Sequence, residues 1–344
     1  MKHISLITLL VLVLVSCKQE QPPKDYLILH GKVTNPIDSL KLRLFDPVAN
    51  NTIMVGVDKQ GEFRDTIKLE KPATFTAVYK NVFDLYLQND MDIKVEFNSE
   101  DISNSLNFSG KGLAENNYLK TKSKSTSKLF GKNYKDYLSL DQASFDKKTN
   151  SYVDDLRSEL DSKADQIDST FLVNQKNALE KFKTDIAKQH KEQLQINETL
   201  GKGNPSPQFV DYVNYKGGTN SLSDYKGSYV YIDVWATWCA PCKYEIPFLK
   251  EVEKKYHDKN IKFVSLSIDR KADENKWRDM IKEKDLTGIQ LLADKDFDSK
   301  FIKDYYIYGI PRFILLDPEG NIVSYDAPRP SEDRLIELFN SLNI

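Results

Sequence analysis

The sequence predicts a multidomain protein: an antiparallel β-sandwich-like domain and a helical segment precede a C-terminal α/β domain. Two changes of hydrophobic pattern indicate this order. Residues 26–110 contain short alternating strands, residues 111–200 carry apolar side chains at intervals of three or four, and residues 201–344 alternate strand-like and helix-like segments. At 344 residues, the chain is long enough for two or three domains.

Composition and charge exclude several classes of protein. Hydrophobic residues make up 40% of the chain and charged residues 29%, so a disordered chain is excluded. The 49 Lys and Arg residues are balanced by 51 Asp and Glu residues, a net charge of −2. Because nucleic-acid binders carry a basic excess, no nucleic-acid partner is predicted. The one long apolar run lies at the N-terminus, which excludes a multi-pass membrane protein.

Residues 1–16 are typical of a signal peptide. Residues 4–15 are almost wholly apolar, a length that suits a signal-peptide core better than a membrane span. The letters LVSC, ending at Cys17, look like a bacterial lipobox, in which the cysteine is lipidated and becomes the new N-terminus. The prediction is a lipoprotein held on a membrane of the cell envelope, with residues 17–25 as a tether. An ordinary secretory signal with an incidental cysteine is the alternative.

The region 26–110 is predicted to be all-β. Seven short apolar segments are separated by turn signals, and alternation is clear from Asp92 to Phe97. Strands at this spacing favour a small antiparallel sandwich or barrel. No catalytic constellation is found in this region, and its aromatic residues are interpreted as core.

The region 111–200 is predicted to be helical. Apolar side chains recur from Tyr152 to Phe171 and again from Leu179 to Leu194, which indicates a pair of antiparallel helices. The Lys-rich stretch 120–135 is interpreted as a solvated face or mobile linker, with contact to an anionic surface as the alternative. His190 lies on the apolar stripe and is interpreted as a packed histidine.

The region 201–344 is predicted to be an α/β layer with parallel strands, after a linker at 201–207. The predicted elements are strand 228–235, helix 239–256, strand 261–268, helix 272–284, strand 289–293, helix 297–305, a hairpin of 313–316 with 322–325, and a last helix capped by Ser331.

Cysteine usage points to redox chemistry. If Cys17 carries lipid, only Cys239 and Cys242 remain, three positions apart. Outside the cytoplasm such a pair is redox-active or, much less favoured, half of a metal site. The histidines are scattered along the chain, so neither a metal nor a cofactor is predicted.

The motif WATWCAPC, residues 235–242, places a strand end directly before a helix start. Cys239 would then lie at a helix N-terminus, where free N–H groups and the helix dipole stabilise a thiolate. Pro241 suits the first helical turn. Cys239 is therefore predicted to be the nucleophile and the more accessible thiol, and Cys242 is predicted to resolve the mixed disulfide.

Two acidic residues have a spacing suited to proton transfer. Asp233 lies inside the apolar strand, where burial should raise its pKa, and Glu245 lies one helical turn beyond Cys242. Either carboxylate could accept the proton of Cys242. The alternatives are a capped structural acid for Asp233 and a solvated helix residue for Glu245.

Residues 309–313, GIPRF, enter an apolar strand. A proline at such a position often follows a cis bond, and a cis Ile310–Pro311 bond would leave the Ile310 backbone free to pair with an extended substrate peptide. A trans proline that merely starts the strand is the alternative. Ile310 and Trp238 are the predicted substrate-binding residues.

These motifs resemble the thioredoxin fold, and within it the TlpA/ResA-like extracytoplasmic thiol–disulfide oxidoreductases. The resemblance implies that Cys239 attacks, that Cys242 resolves and that Pro311 is cis. The family's C-P-C-x-x-E-x-P pattern places its reactivity-modulating glutamate at Glu245, whereas Asp233 matches the buried aspartate of cytoplasmic thioredoxins. The region before residue 201 more weakly resembles the N-terminal part of Bacteroidetes-type thioredoxin-like lipoproteins.

The predicted function is reduction of protein disulfides by a thioredoxin-like domain that faces the periplasm. The predicted partners are client proteins with disulfides, a membrane electron donor of the cell envelope, and the membrane itself through Cys17. A disulfide oxidase or isomerase is the alternative, and a redox-inert binding module or metal chaperone is the hypothesis from a different class. A peroxiredoxin is disfavoured because no proline stands at the required distance before Cys239.

Overall fold

The computed structural model describes residues 22–344, so the predicted signal peptide and Cys17 lie outside the described residues. The chain divides into two compact units, one ending at Asp185 and the other spanning Ile186–Ile344. None of the helices in the described part of the chain is long and apolar enough to cross a membrane.

The first unit contains two four-stranded sheets with strand orders β4-β1-β7-β8 and β3-β2-β5-β6. All seven predicted strands are present, and an eighth strand, β8, lies at the edge of the first sheet. The strands are β1 Leu27–Thr34, β2 Leu42–Asp46, β3 Asn51–Val55, β4 Glu62–Ile67, β5 Ala73–Tyr79, β6 Asn81–Leu87, β7 Asp92–Asn98 and β8 Asn107–Lys111.

Strand β7 shows why this sequence forms a layered β structure. Ile93, Val95 and Phe97 are buried, while the polar residues between them are not, as the period-two alternation predicts. One pairing differs from the predicted antiparallel arrangement: β1 and β7 run parallel. A parallel pair needs a long crossover, and here strands of the second sheet lie between β1 and β7 in the chain.

The helical segment shares a hydrophobic core with the sheets of the first unit, since Tyr118, Leu119 and Leu156 cluster with buried strand residues. Both predicted helices are present, and His190 is buried as predicted. Most of the Lys-rich stretch lies in a helix whose earlier residues Tyr118 and Leu119 are buried, and Lys124 and Lys128 are exposed, so the stretch forms a solvated helix face and not a mobile linker. The helices are α1 Ile102–Ser105, α2 Ala114–Phe130, α3 Tyr134–Leu138, α4 Gln142–Ser162 and α5 Ser169–Thr199.

The second unit is built on a seven-stranded sheet of order β10-β9-β13-β12-β11-β14-β15. Strands β11, β12 and β13 are parallel neighbours, and the other pairs are antiparallel. The strands are β9 Tyr212–Asn214, β10 Thr219–Asn220, β11 Tyr229–Trp235, β12 Ile261–Ser267, β13 Ile289–Leu292, β14 Arg312–Leu316 and β15 Ile322–Ser324. The helices are α6 Ala240–Tyr256, α7 Glu274–Lys284, α8 Lys300–Asp304 and α9 Asp333–Ser341.

Strand β11 is central in this sheet and buried on both faces, which explains its nearly continuous apolar sequence. It ends at Trp235, and helix α6 begins five residues later, at Ala240. The carboxyl end of β11 therefore carries the cysteine motif.

Two local predictions for the second unit are wrong. Ser331 does not cap the last helix, because α9 begins at Asp333 with Glu332 at its N-cap position. The segment 201–207 is not a free linker: the Gly203 N–H donates to the Ile322 carbonyl at 2.8 Å, and Pro205 forms a bridge with Asn321. The short hairpin of β9 and β10 was not among the predicted elements.

Candidate active site

Cys239 and Cys242 form a disulfide where strand β11 gives way to helix α6, and their Cα atoms are 5.3 Å apart. Cys239 is the N-cap residue of α6, and Pro241 lies in the first turn, as predicted. The two cysteines are 4% and 3% exposed. The predicted difference in accessibility is therefore not visible in this oxidised state.

The Cys239 sulfur occupies a position that favours a nucleophile. The Cys242 backbone N–H donates to Cys239 Sγ at 3.1 Å. After reduction, this N–H and the N-terminal end of the α6 dipole would stabilise a thiolate on Cys239.

A second loop lies against this sulfur. The Ile310 carbonyl oxygen is 3.8 Å from Cys239 Sγ, and the Ile310–Pro311 peptide bond is cis, as predicted. The fold therefore brings together Cys239, Cys242, Ile310 and Pro311, which are up to 72 positions apart in the chain.

Asp233 is buried in the interior of the second unit. Burial, then the negative charges of Glu253 and Glu245, raise its pKa to about 8, in the predicted direction. The carboxyl group can therefore bind and release a proton near neutral pH. Its assignment as the acceptor of the Cys242 proton stays a prediction.

Glu245 is buried, so the alternative of a solvated helix residue is wrong. Its carboxylate accepts hydrogen bonds from the Ser331 backbone N–H at 3.1 Å and from the Ser331 hydroxyl at 3.0 Å. Arg329 Nη1 lies 4.0 Å from the same carboxylate. Ser331 thus ties Glu245 to the segment before α9 instead of capping that helix.

Trp238 precedes the nucleophilic position and is 58% exposed. Its ring centroid lies 6.3 Å from that of Phe297. An exposed indole beside a disulfide offers an apolar surface to an incoming peptide. Its predicted role in substrate binding remains a prediction.

Asp269 is a site residue that the sequence analysis missed. It is fully buried just after β12, and its carboxylate accepts hydrogen bonds from Thr237 N–H at 2.9 Å, from Thr237 Oγ1 at 2.7 Å and from Ser267 Oγ at 2.8 Å. Asp269 therefore fixes the loop that leads to Cys239. An acid directly after a buried strand, at the same sheet edge as the cysteines, was the available signal.

In residues 22–344, no group of three or more His, Cys, Asp or Glu side chains is arranged to hold a metal ion. The two cysteines are bonded to each other instead of presenting thiolate ligands.

Comparison with known proteins agrees with this geometry. A family model described as thioredoxin-like matches residues 227–322, within the second unit. The thiol-disulfide oxidoreductase ResA of one Bacillus cereus strain is 32% identical over 145 residues, which cover 42% of this chain and 77% of the relative. The chain belongs to the thioredoxin-like thiol–disulfide oxidoreductases.

Other members of this thioredoxin-like family cover the same share of the chain. The ResA of Bacillus thuringiensis subsp. konkukian is 27% identical over 42% of this chain and 80% of the relative. The crystal structure of the thioredoxin domain of a Bacteroides vulgatus thiol-disulfide oxidoreductase is 33% identical, covering 42% of this chain and 98% of that one, with a TM-score of 0.38. The family model and the 32% identical ResA confirm the predicted thioredoxin fold of the second unit and the enzyme class.

Proposed function

We propose that this thioredoxin-like protein reduces disulfide bonds of client proteins outside the cytoplasm. The Cys239 thiolate attacks a client disulfide, forms a mixed disulfide and releases one client thiolate. Cys242 then loses its proton and attacks Cys239 Sγ, which releases the second client thiolate. Two electrons pass to the client, its two sulfurs end as thiols, and the cysteine pair ends as a disulfide.

The charge around the cysteine pair supports the reducing direction. Asp233, Glu245 and Asp269 are all buried in the elements that frame the disulfide. Among the ion pairs of the described residues, these three acids take part in one, the 4.0 Å contact of Glu245 with Arg329. These buried acids oppose the stabilisation that the Cys242 N–H and the α6 dipole give to a Cys239 thiolate, and a pair whose reduced form is less stabilised gives up its electrons more readily.

The equilibrium reduction potential of the cysteine pair is expected to lie near the thioredoxin value of about −270 mV, far from the DsbA value of about −120 mV. Glu245→Gln removes one negative charge and should raise the potential by roughly 30 mV, which corresponds to ~1.4 kcal/mol for a two-electron couple. Titration against glutathione buffers measures both values.

Glu251→Gln is the matched control for this prediction, because Glu251 lies on the same helix but is exposed. The control should leave the potential unchanged. A wild-type value near that of DsbA would reject the reducing role in favour of a disulfide oxidase.

The proposed location rests on the LVSC letters at Cys17 after an apolar core. A lipid anchor there would hold the second unit in the periplasm, where a membrane electron donor would return the disulfide to the dithiol after each turnover. This donor would have to supply two electrons, which a dithiol relay in the envelope membrane can do.

Cys17→Ser is expected to abolish lipidation and shift the protein from the membrane fraction to the soluble fraction, since acyl chains supply stable anchoring. Metabolic labelling with a fatty acid and fractionation of the cells check this. Lys18→Ser is the control and should keep the label. An acylated, membrane-bound Cys17→Ser protein would contradict the proposal.

A further inference from the structure

A small cavity of about 10 Å³ lies beside Asp233, inside the second unit. This volume is close to what a single water molecule needs. Two carboxyl groups border it, because Glu253 of α6 lines the same cavity. Trp235, Lys250, Thr287 and Gln290 also line it.

Two buried polar atoms belong to residues that line this cavity and lack a hydrogen-bond partner among the described residues. They are the indole Nε1 of Trp235, a donor, and the amide Oε1 of Gln290, an acceptor. Buried polar groups are normally satisfied by protein or by ordered water. With the Asp233 and Glu253 carboxyl groups, they give a water molecule the several polar partners that a buried site requires.

Glu253 is held at the boundary between this cavity and the surface. Its carboxylate accepts a hydrogen bond from the Thr287 hydroxyl. Gly288 leaves room for it, since a Cβ there would stand 2.7 Å from Glu253 Oε1. Glu253 also lines an open surface groove of about 530 Å³, whose other walls come from β12 and the start of β13. One carboxylate thus borders both the interior and the solvent.

We propose that a water molecule in this cavity links Asp233 to Glu253 and that Glu253 delivers the proton of Asp233 to solvent. Cys242 loses its proton to Asp233 when it attacks the mixed disulfide, and the proton then passes through the water to Glu253 and out to the groove. The sulfur–sulfur bond between Cys239 and the client breaks, the Cys239–Cys242 bond forms, and the client leaves as a thiolate. Glu253 is a positioning residue, because it acts on the cysteines only through Asp233.

The acid–base properties of the two groups fit this transfer. Burial raises the pKa of both carboxyl groups, and the charge of Glu253 raises that of Asp233 further. The Thr287 hydrogen bond and the Lys250 charge act against this rise in the pKa of Glu253, so a proton that reaches Glu253 is released more readily to solvent. Tyr231 and Glu245 interact electrostatically with Asp233, and the ionisable residues that line the groove with Glu253 and Lys250 are Glu251, Lys254, His257 and Lys262.

The proposal can be tested on the reduced full-length mature protein with dithiobis-nitrobenzoate, an aromatic disulfide with a coloured thiolate. The first release of colour reports attack by Cys239, and the second reports resolution by Cys242. Glu253→Gln should leave the first release unchanged and slow the second about tenfold, below the range for loss of a direct general base. Glu337→Gln removes an exposed acid of α9 that lines neither the cavity nor the groove, and it should change neither release.

Rescue by a small acid separates proton transfer from a structural role. Glu253→Ala opens the cavity toward the outer groove, so formate should restore its second release in proportion to formate concentration. Formate should have no effect on the isosteric Glu253→Gln. The proposal is overturned if Glu253→Gln resolves at the wild-type rate, or if it is slow and formate fails to rescue Glu253→Ala. Loss of the first release as well would count against the exchange chemistry itself, which keeps the two failures distinguishable.

Discussion

Replacing Cys242 with alanine is expected to trap client proteins on Cys239 as stable mixed disulfides. Cys239 Sγ accepts the Cys242 backbone N–H and faces the Ile310 carbonyl, so the sulfur that a client meets at the cis-proline loop is that of Cys239. Without the Cys242 thiol, no intramolecular attack releases the client. Turnover should fall more than about 10³-fold, on the scale of losing a residue essential to covalent catalysis.

The measurement is non-reducing electrophoresis of alkylated cell extracts, followed by identification of the trapped proteins. Cys239→Ala is the matched control, because it keeps one thiol of the same motif and should trap no client. The backbone N–H of residue 242 survives in Cys242→Ala, so the thiolate-stabilising hydrogen bond is retained. Equal trapping by both variants would contradict the assignment of attack to Cys239.

Local patterns predicted most of the fold, since strand and helix periodicities are set by short stretches of sequence. Strand β8 was not predicted, because Phe108 is its single buried residue and the strand therefore has no apolar alternation. The parallel pairing of β1 with β7 was not predicted for another reason. Ile28 pairs with Asp92, far along the chain, and only the arrangement of the two sheets brings these strands together. Pairing between distant strands leaves no local signature.

The same contrast between local signals and long-range contacts applies to the residues of the site. Cys239, Cys242 and Pro311 were predictable because a strand end, a helix start and a proline are local signals. The partners of Glu245 and Asp233 were not. Ser331 meets Glu245 across 86 positions, and its position before an apolar helix suggested a cap instead. In the sequence, Glu253 is indistinguishable from any other charged residue of an amphipathic helix, and only the fold places Thr287 beside it.

Asp233→Asn is expected to stabilise the oxidised protein, and increasingly so as the pH rises. The pKa of Asp233 is about 8 in the folded state against 3.8 for an unperturbed aspartate, so the folded chain holds a proton that the unfolded chain releases between these values. Below pH 4, Asp233 is protonated in both the folded and the unfolded state, so its titration does not lower the free energy of unfolding. The loss of folding stability grows with pH and reaches its full value, roughly 5 kcal/mol, above pH 8.

Guanidinium unfolding of both proteins at several pH values measures this difference, with the transition of the second unit followed by tryptophan fluorescence because all three tryptophans lie in that unit. The advantage of Asp233→Asn should be near zero at pH 4 and several kcal/mol at pH 8. Glu251→Gln, which removes an exposed acid, should give a difference that does not change over this range. The same Asp233→Asn protein should resolve mixed disulfides roughly 10²-fold more slowly, since asparagine cannot accept the Cys242 proton. A difference that does not change with pH would show that folding does not raise the pKa of Asp233, and the carboxyl group would then be too weak a base to take up the Cys242 proton near neutral pH.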